Sequence, residues 1–100
     1  MLQVDNYSAT LENMTEVARC FRRNQTGDTL YSLYRNHIEQ DGYLICVKNG
    51  EMCEKGTLRG SLSCVATLFE KIVNGDVPPY ILSEILSDYA SENAHNFANI

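Results

Sequence analysis

The chain has 100 residues, 13 acids against 8 bases, a formal charge of -5 and 44% apolar residues. That length holds one hydrophobic core and not two, and the composition is that of a folded domain rather than a disordered chain. The acidic balance, with a pI near 4.8, argues against a surface that holds nucleic acid or anionic membrane broadly.

The longest apolar runs, such as Tyr43 to Val47, fall far short of the ~20 residues of a spanning helix. Met1-Leu2-Gln3-Val4-Asp5-Asn6 has neither the basic nor the apolar region of a signal peptide. The expected location is cytoplasmic, where Cys20, Cys46, Cys53 and Cys64 stay thiols.

Ser8 to Asn24 predicts a first helix. Leu11, Met14, Val17, Ala18 and Phe21 fall on one arc at helical spacing, and Glu12, Glu16, Arg19 and Arg23 run from acid to base as the helix dipole favours. Arg22-Arg23 is too short a basic run to signal nucleic acid. Asp28 suits an N-cap for a second helix over Thr29 to Gln40, with Gly42 beyond its end. Its apolar face is Leu30, Leu33, Tyr34, His37 and Ile38. His37 on that face reads as a hydrogen-bonded core residue, because no second ligand stands at helical spacing from it and HExxH is absent.

Tyr43-Leu44-Ile45-Cys46-Val47 is a strand, and Asn49-Gly50 is a strong hairpin turn. A two-residue loop there pairs Lys48 with Glu51, Val47 with Met52 and Cys46 with Cys53, placing the two cysteines about 5.5 Å apart at Cα. They read as two small side chains, with a redox pair as the sharper alternative. Metal binding has less support, since Cys46 and Cys53 have no knuckle spacing and no second pair.

Ser61 to Asn74 predicts a third helix that stops at Gly75. Cys64, Val65, Ala66, Leu68, Phe69, Ile72 and Val73 cover so much of it that it should be the central core element, with Cys64 as inert packing. Asp76-Val77-Pro78-Pro79 opens the last helix, with Asp76 as its cap and a body from Tyr80 to about Asn93. Its apolar face is Ile81, Leu82, Ile85, Leu86, Tyr89 and Ala90. The resulting fold class is α+β, a mostly helical single domain in the order α-α-β-hairpin-α-α. Its helices lie at about 8–24, 29–40, 61–74 and 79–93, and its hairpin at about 43–54.

One stripe of the last helix, at spacing four, is Glu84, Asp88 and Glu92. Past Lys71 the chain has no Lys or Arg at all. Like charges at this spacing cost roughly 0.2–0.5 kcal/mol per pair, and nothing in the same helix offsets them. The stripe therefore points to a basic partner, with a solvated, aggregation-resistant face as the plainer alternative. Tyr7, Tyr31, Tyr43 and Tyr80 lie near element ends, where tyrosines anchor interfaces. Tyr80, Tyr31 and Arg35 join the acids as candidate partner-binding residues.

Enzymatic motifs are absent: there is no GxSxG, P-loop, GxGxxG or paired-histidine site. His95, in the polar tail Ser91-Glu92-Asn93-Ala94-His95, reads as solvated. No catalytic residue, metal or cofactor is expected. Phe69 to Ala90 runs helix, Asn74-Gly75, Pro79, helix, and is similar to the end of phage-repressor-type helix-turn-helix domains. The resemblance covers about 22 residues, a hairpin stands where the upstream helices belong, and no Arg or Gln cluster reads bases. The expected function is a non-enzymatic interaction protein, a small acidic inhibitor or adaptor of phage or mobile-element type. Its expected partner is a larger host protein or nucleoprotein complex with a basic surface, as in anti-defence and anti-CRISPR inhibition. No direct nucleic acid or membrane contact is expected. The alternatives are a helix-turn-helix-like transcription regulator, or a small dimeric chaperone or antitoxin.

Overall fold

The computed structural model describes residues 13–24 and 27–98, with the side chains of residue 24 and residues 93–98 outside the description. Four antiparallel strands come first: β1 (Met14–Asn24), β2 (Gly27–Asn36), β3 (Gly42–Asn49) and β4 (Met52–Arg59). Two helices follow, α1 (Leu62–Asn74) and α2 (Leu82–Ala98), the second entered through a 3-10 turn at Pro79–Ile81. Each strand pairs with the next, in the order β1-β2-β3-β4, and both helices contribute to a core on one face of this sheet.

The expected mostly helical domain in the order α-α-β-hairpin-α-α is thus overturned: strand outweighs helix, and the order is β-β-β-β-α-α. The segment expected as a helix at 8–24 is strand from Met14 onward, and the one expected at 29–40 is strand as far as Asn36 and loop over 37–40; residues 8–12 lie outside the described residues. The reason lies in which side chains face in. On β1 the positions packed toward the core are small, Ala18 and Cys20, while Val17 and Phe21 are exposed. Burial alternates residue by residue along this strand, but hydrophobicity does not, so the period-two pattern is hidden. The pairing with β2 shifts register between Glu16 and Ala18, leaving Val17 without a partner across the pair. On β2 both faces carry large side chains: Tyr31 and Leu33 point to the helices, Leu30 and Tyr34 away. Such a strand mimics helical spacing, and only its Thr and Tyr content speaks for β structure.

Asp28, expected to cap a helix, is the second residue of β2 instead and pairs with Arg23 at 3.4 Å. His37 is exposed in the β2–β3 loop and not in the core, where it hydrogen-bonds Thr15. That loop is held by Asn36, whose Oδ1 accepts from the backbone N–H of Ile38 at 2.7 Å and of Glu39 at 3.0 Å.

The hairpin forms one residue later than the Asn49-Gly50 loop implied. Asn49 pairs with Met52, Lys48 with Cys53, and Cys46 with Lys55. Asn49 stays in the strand because its side chain donates to Thr29 Oγ1 across the sheet at 2.8 Å. The turn is then Gly50-Glu51, with Gly50 supplying a φ of +60°, as a type II′ turn asks of its first central residue.

The core joins Tyr31, Leu33, Tyr43, Ile45, Val47 and Leu58 from the sheet to Val65, Phe69, Ile72 and Val73 from α1 and Leu82 and Leu86 from α2. The helix expected at 61–74 is present, with Ser61 Oγ accepting from the Cys64 N–H at 3.2 Å and Gly75 closing it. It is not central, however. Its buried residues line one side, and Leu62, Ser63 and Cys64 are exposed. Asp76 is no cap: it has a φ of +50° and accepts from Arg22 at 3.1 Å.

Tyr31 is wholly buried, and its hydroxyl donates to the Val77 carbonyl at 2.9 Å. Burial, then the charge of Asp76, raises its pKa above the ordinary 10.0. A neutral phenol preferred by the folded state gives stability that is whole below pH 10 and lost as pH climbs past the raised value. Tyr31→Phe should cost about 1 kcal/mol at neutral pH, read by denaturant melts, and should blunt the loss of stability at alkaline pH.

Candidate functional site

Between α1 and α2 lies a groove of about 430 Å³ lined by Ser63, Cys64, Thr67, Leu68, Lys71, Ile85, Asp88, Tyr89 and Glu92. Its geometry follows from helix spacing. Cys64, Leu68 and Lys71 recur at four and three residues along α1, and Ile85, Asp88, Tyr89 and Glu92 do so along α2, so each set shares a face. Leu68, Ile85 and Tyr89 are partly buried against the core and make an apolar floor. Asp88 and Glu92 are exposed on the α2 side, and Lys71 on the α1 side.

The stripe expected to meet a partner is therefore divided. Glu84, Asp88 and Glu92 are all exposed on α2, but only Asp88 and Glu92 line the groove. Tyr80 is 69% exposed in the 3-10 turn before α2 and does not line it. Tyr31 is buried beneath the helices and is corrected from a contact residue to a core residue. Arg35 is exposed at the end of β2, beside the 36–41 loop, apart from the groove. Tyr43 is buried as well. Tyr7 and the side chain of His95 lie outside the described residues.

Cys64 was expected to pack inertly. It is exposed at the groove edge instead, because Val65 and Phe69 take the inward positions. What sequence reasoning missed is that Leu68, Ile85 and Tyr89 serve two roles, touching the core and flooring a groove. A signal was present: Ile85, Asp88, Tyr89 and Glu92 form one stripe at spacings of three and four that mixes apolar residues with acids. A purely buried face carries no acids.

Among the described residues no three His, Cys, Asp or Glu side chains converge to hold a metal ion. No described helix is long and apolar enough to cross a membrane. The helix–turn–helix succession of Phe69 to Ala90 is present, but α2 exposes Ser83, Glu84, Ser87, Asp88, Ser91 and Glu92 and contains no Lys or Arg. No family model matches the chain, and no curated protein or solved structure matches it.

Proposed function

We propose that this chain is a non-enzymatic protein–protein interaction module, a small acidic inhibitor or adaptor of phage or mobile-element type. Its target is a basic, nucleic-acid-binding surface on a larger host machine, such as a CRISPR effector or a restriction or recombination nuclease. The observation that carries this reading is the α1–α2 groove, where an apolar floor of Leu68, Ile85 and Tyr89 stands beside Asp88 and Glu92. Apolar area gives such a contact its affinity, and the acids give register and association rate toward a cationic partner. Glu84, one turn earlier on α2, extends the negative field beyond the groove. The module works in the cytoplasm, by occupying a surface rather than by turning over a substrate.

The test compares wild type with the triple variant Glu84→Gln, Asp88→Gln, Glu92→Gln. Removing like charges at spacing four leaves folding intact or slightly stabilised. Association with the partner, first identified by capture from a host lysate and mass spectrometry, should slow in the variant, most at low salt. Equal binding at every salt concentration would reduce the stripe to a solvated face. Micromolar binding of duplex DNA by the chain itself, weakening steeply with salt, would instead favour the transcription regulator.

A further inference from the structure

The face of the sheet turned away from the helices carries a pair of thiols. The Cys46 and Cys53 sulfurs are 3.6 Å apart, and both are free cysteines, Cys53 exposed and Cys46 half-buried. The observed register places Lys55 directly opposite Cys46 and Lys48 directly opposite Cys53. The two sulfurs thus take one diagonal of a square on the β3–β4 hairpin, and the two lysines take the other. Cys20 packs toward the core on the opposite face, and Cys64 sits on α1.

The two thiols are unequal. Burial, the hydrogen bond with Cys53 and the charge of Cys53 push Cys46 up to about 11, against the pull of Lys55 and Lys48. Cys53 is open to solvent and Cys46 is half-buried, so Cys53 is the accessible nucleophile. Capping the Cys53 sulfur removes the hydrogen bond and charge that Cys53 presents to Cys46, while burial, the largest cause, remains.

We propose that Cys46 and Cys53 form a thiol–disulfide exchange site that takes a small disulfide of the oxidised-glutathione class, Cys53 attacking and Cys46 resolving. The Cys53 thiolate attacks one sulfur of the reagent, the reagent's S–S bond breaks, and the first glutathione thiolate leaves and is protonated. Cys53 is then an uncharged mixed disulfide. Cys46 loses its proton, helped by Lys55 and Lys48, and attacks the Cys53 sulfur. The mixed bond breaks, and the second glutathione thiolate leaves and takes up that proton. Two protein thiols give up two electrons, and one small disulfide becomes two thiols.

Closure requires the sulfurs to approach by roughly 1.5 Å to a bond of about 2.05 Å. Cys53 lies one residue beyond the turn-closing pair Asn49–Met52, so the movement is confined to the end of the hairpin. A bridge on the diagonal is strained, and strained disulfides reduce readily. The site is therefore a reversible one, not a structural staple.

The experiment uses the full chain with Cys64→Ser, since the exposed Cys64 would otherwise react by itself. The reduced protein is exposed to oxidised glutathione, quenched with acid, and read by intact mass and peptide mapping. The expected product has lost two hydrogens, carries no glutathione, maps to a Cys46–Cys53 link, and returns to the starting mass with dithiothreitol. Adding Cys46→Ser should trap one glutathione on Cys53, and adding Cys53→Ser should leave Cys46 unmodified over the same time. A glutathione adduct that persists on Cys53 while Cys46 is present would overturn the proposal, as would links between chains or Cys46 reacting equally fast without Cys53. Each outcome is independent of whether the α1–α2 groove binds a partner.

Discussion

Leu82→Ala is expected to lower stability by about 2–5 kcal/mol, among the largest effects of any single truncation in this chain. Leu82 is the first residue of α2 and is 1% exposed. It reaches a core shared by the sheet and α1, so nothing nearby is free to fill the void that alanine would leave. For a chain of this length the loss corresponds to a fall in melting temperature of roughly 10–25 °C. Tyr80→Ala, two residues earlier at an exposed position, supplies the contrast and should stay within about 0.5 kcal/mol of wild type. Thermal and urea melts of the two variants read both numbers. Equal behaviour of the pair would mean that α2 does not dock on the sheet as described.

The second large effect centres on Gly56. It lies opposite Ile45 on the helix-covered face of β4, and a Cβ there would overlap Leu86 Cδ1. Glycine in a strand interior is unfavourable by itself, so its presence here marks a close approach of α2 to the sheet. Gly56→Ala should cost about 1–3 kcal/mol by displacing Leu86. Leu86→Ala alone should cost about 2–3 kcal/mol through lost burial. Combined, the two should cost measurably less than their sum, because the smaller residue at 86 makes room for the methyl group at 56. Strict additivity in a denaturant-melt cycle would show that the glycine serves another purpose.

The C-terminal half of the fold could be read from the sequence because its signals agree with one another. Ser61, Gly75 and Pro78-Pro79 punctuate the two helices, and the apolar positions between them recur at helical spacing. Gly50 marked the hairpin, and the register missed by one residue because Asn49 has a use across the sheet that local turn preference does not reveal. The N-terminal half was illegible for a different reason. β1 is an edge strand whose inward positions are as small as Ala18 and Cys20, and β2 is apolar on both faces, so neither shows the alternation of a half-buried strand. The acidic stripe was visible residue by residue. The groove beside it was not, since it needs Leu68 of α1 and Tyr89 of α2 to meet across a gap that only tertiary packing defines. Tyr31 was misplaced for the same reason: position near an element end says nothing of depth.

Every pairing in the sheet joins neighbours in sequence, and this sets a schedule. Loops between neighbouring strands close at small entropic cost, so the strands can pair as soon as they leave the ribosome, N-terminal element first. Their covering layer is made last. From the appearance of Val47 to that of Leu86 the ribosome must add roughly 40 residues, a delay of about 2–8 s at ordinary translation rates. Until α1 is complete the side chains of Tyr31, Leu33, Ile45 and Val47, all buried in the finished protein, have no helix above them, and until Leu86 appears α1 alone covers them. Nascent chains halted before α2 should therefore recruit hydrophobic-binding chaperones or aggregate, and chains halted after it should not.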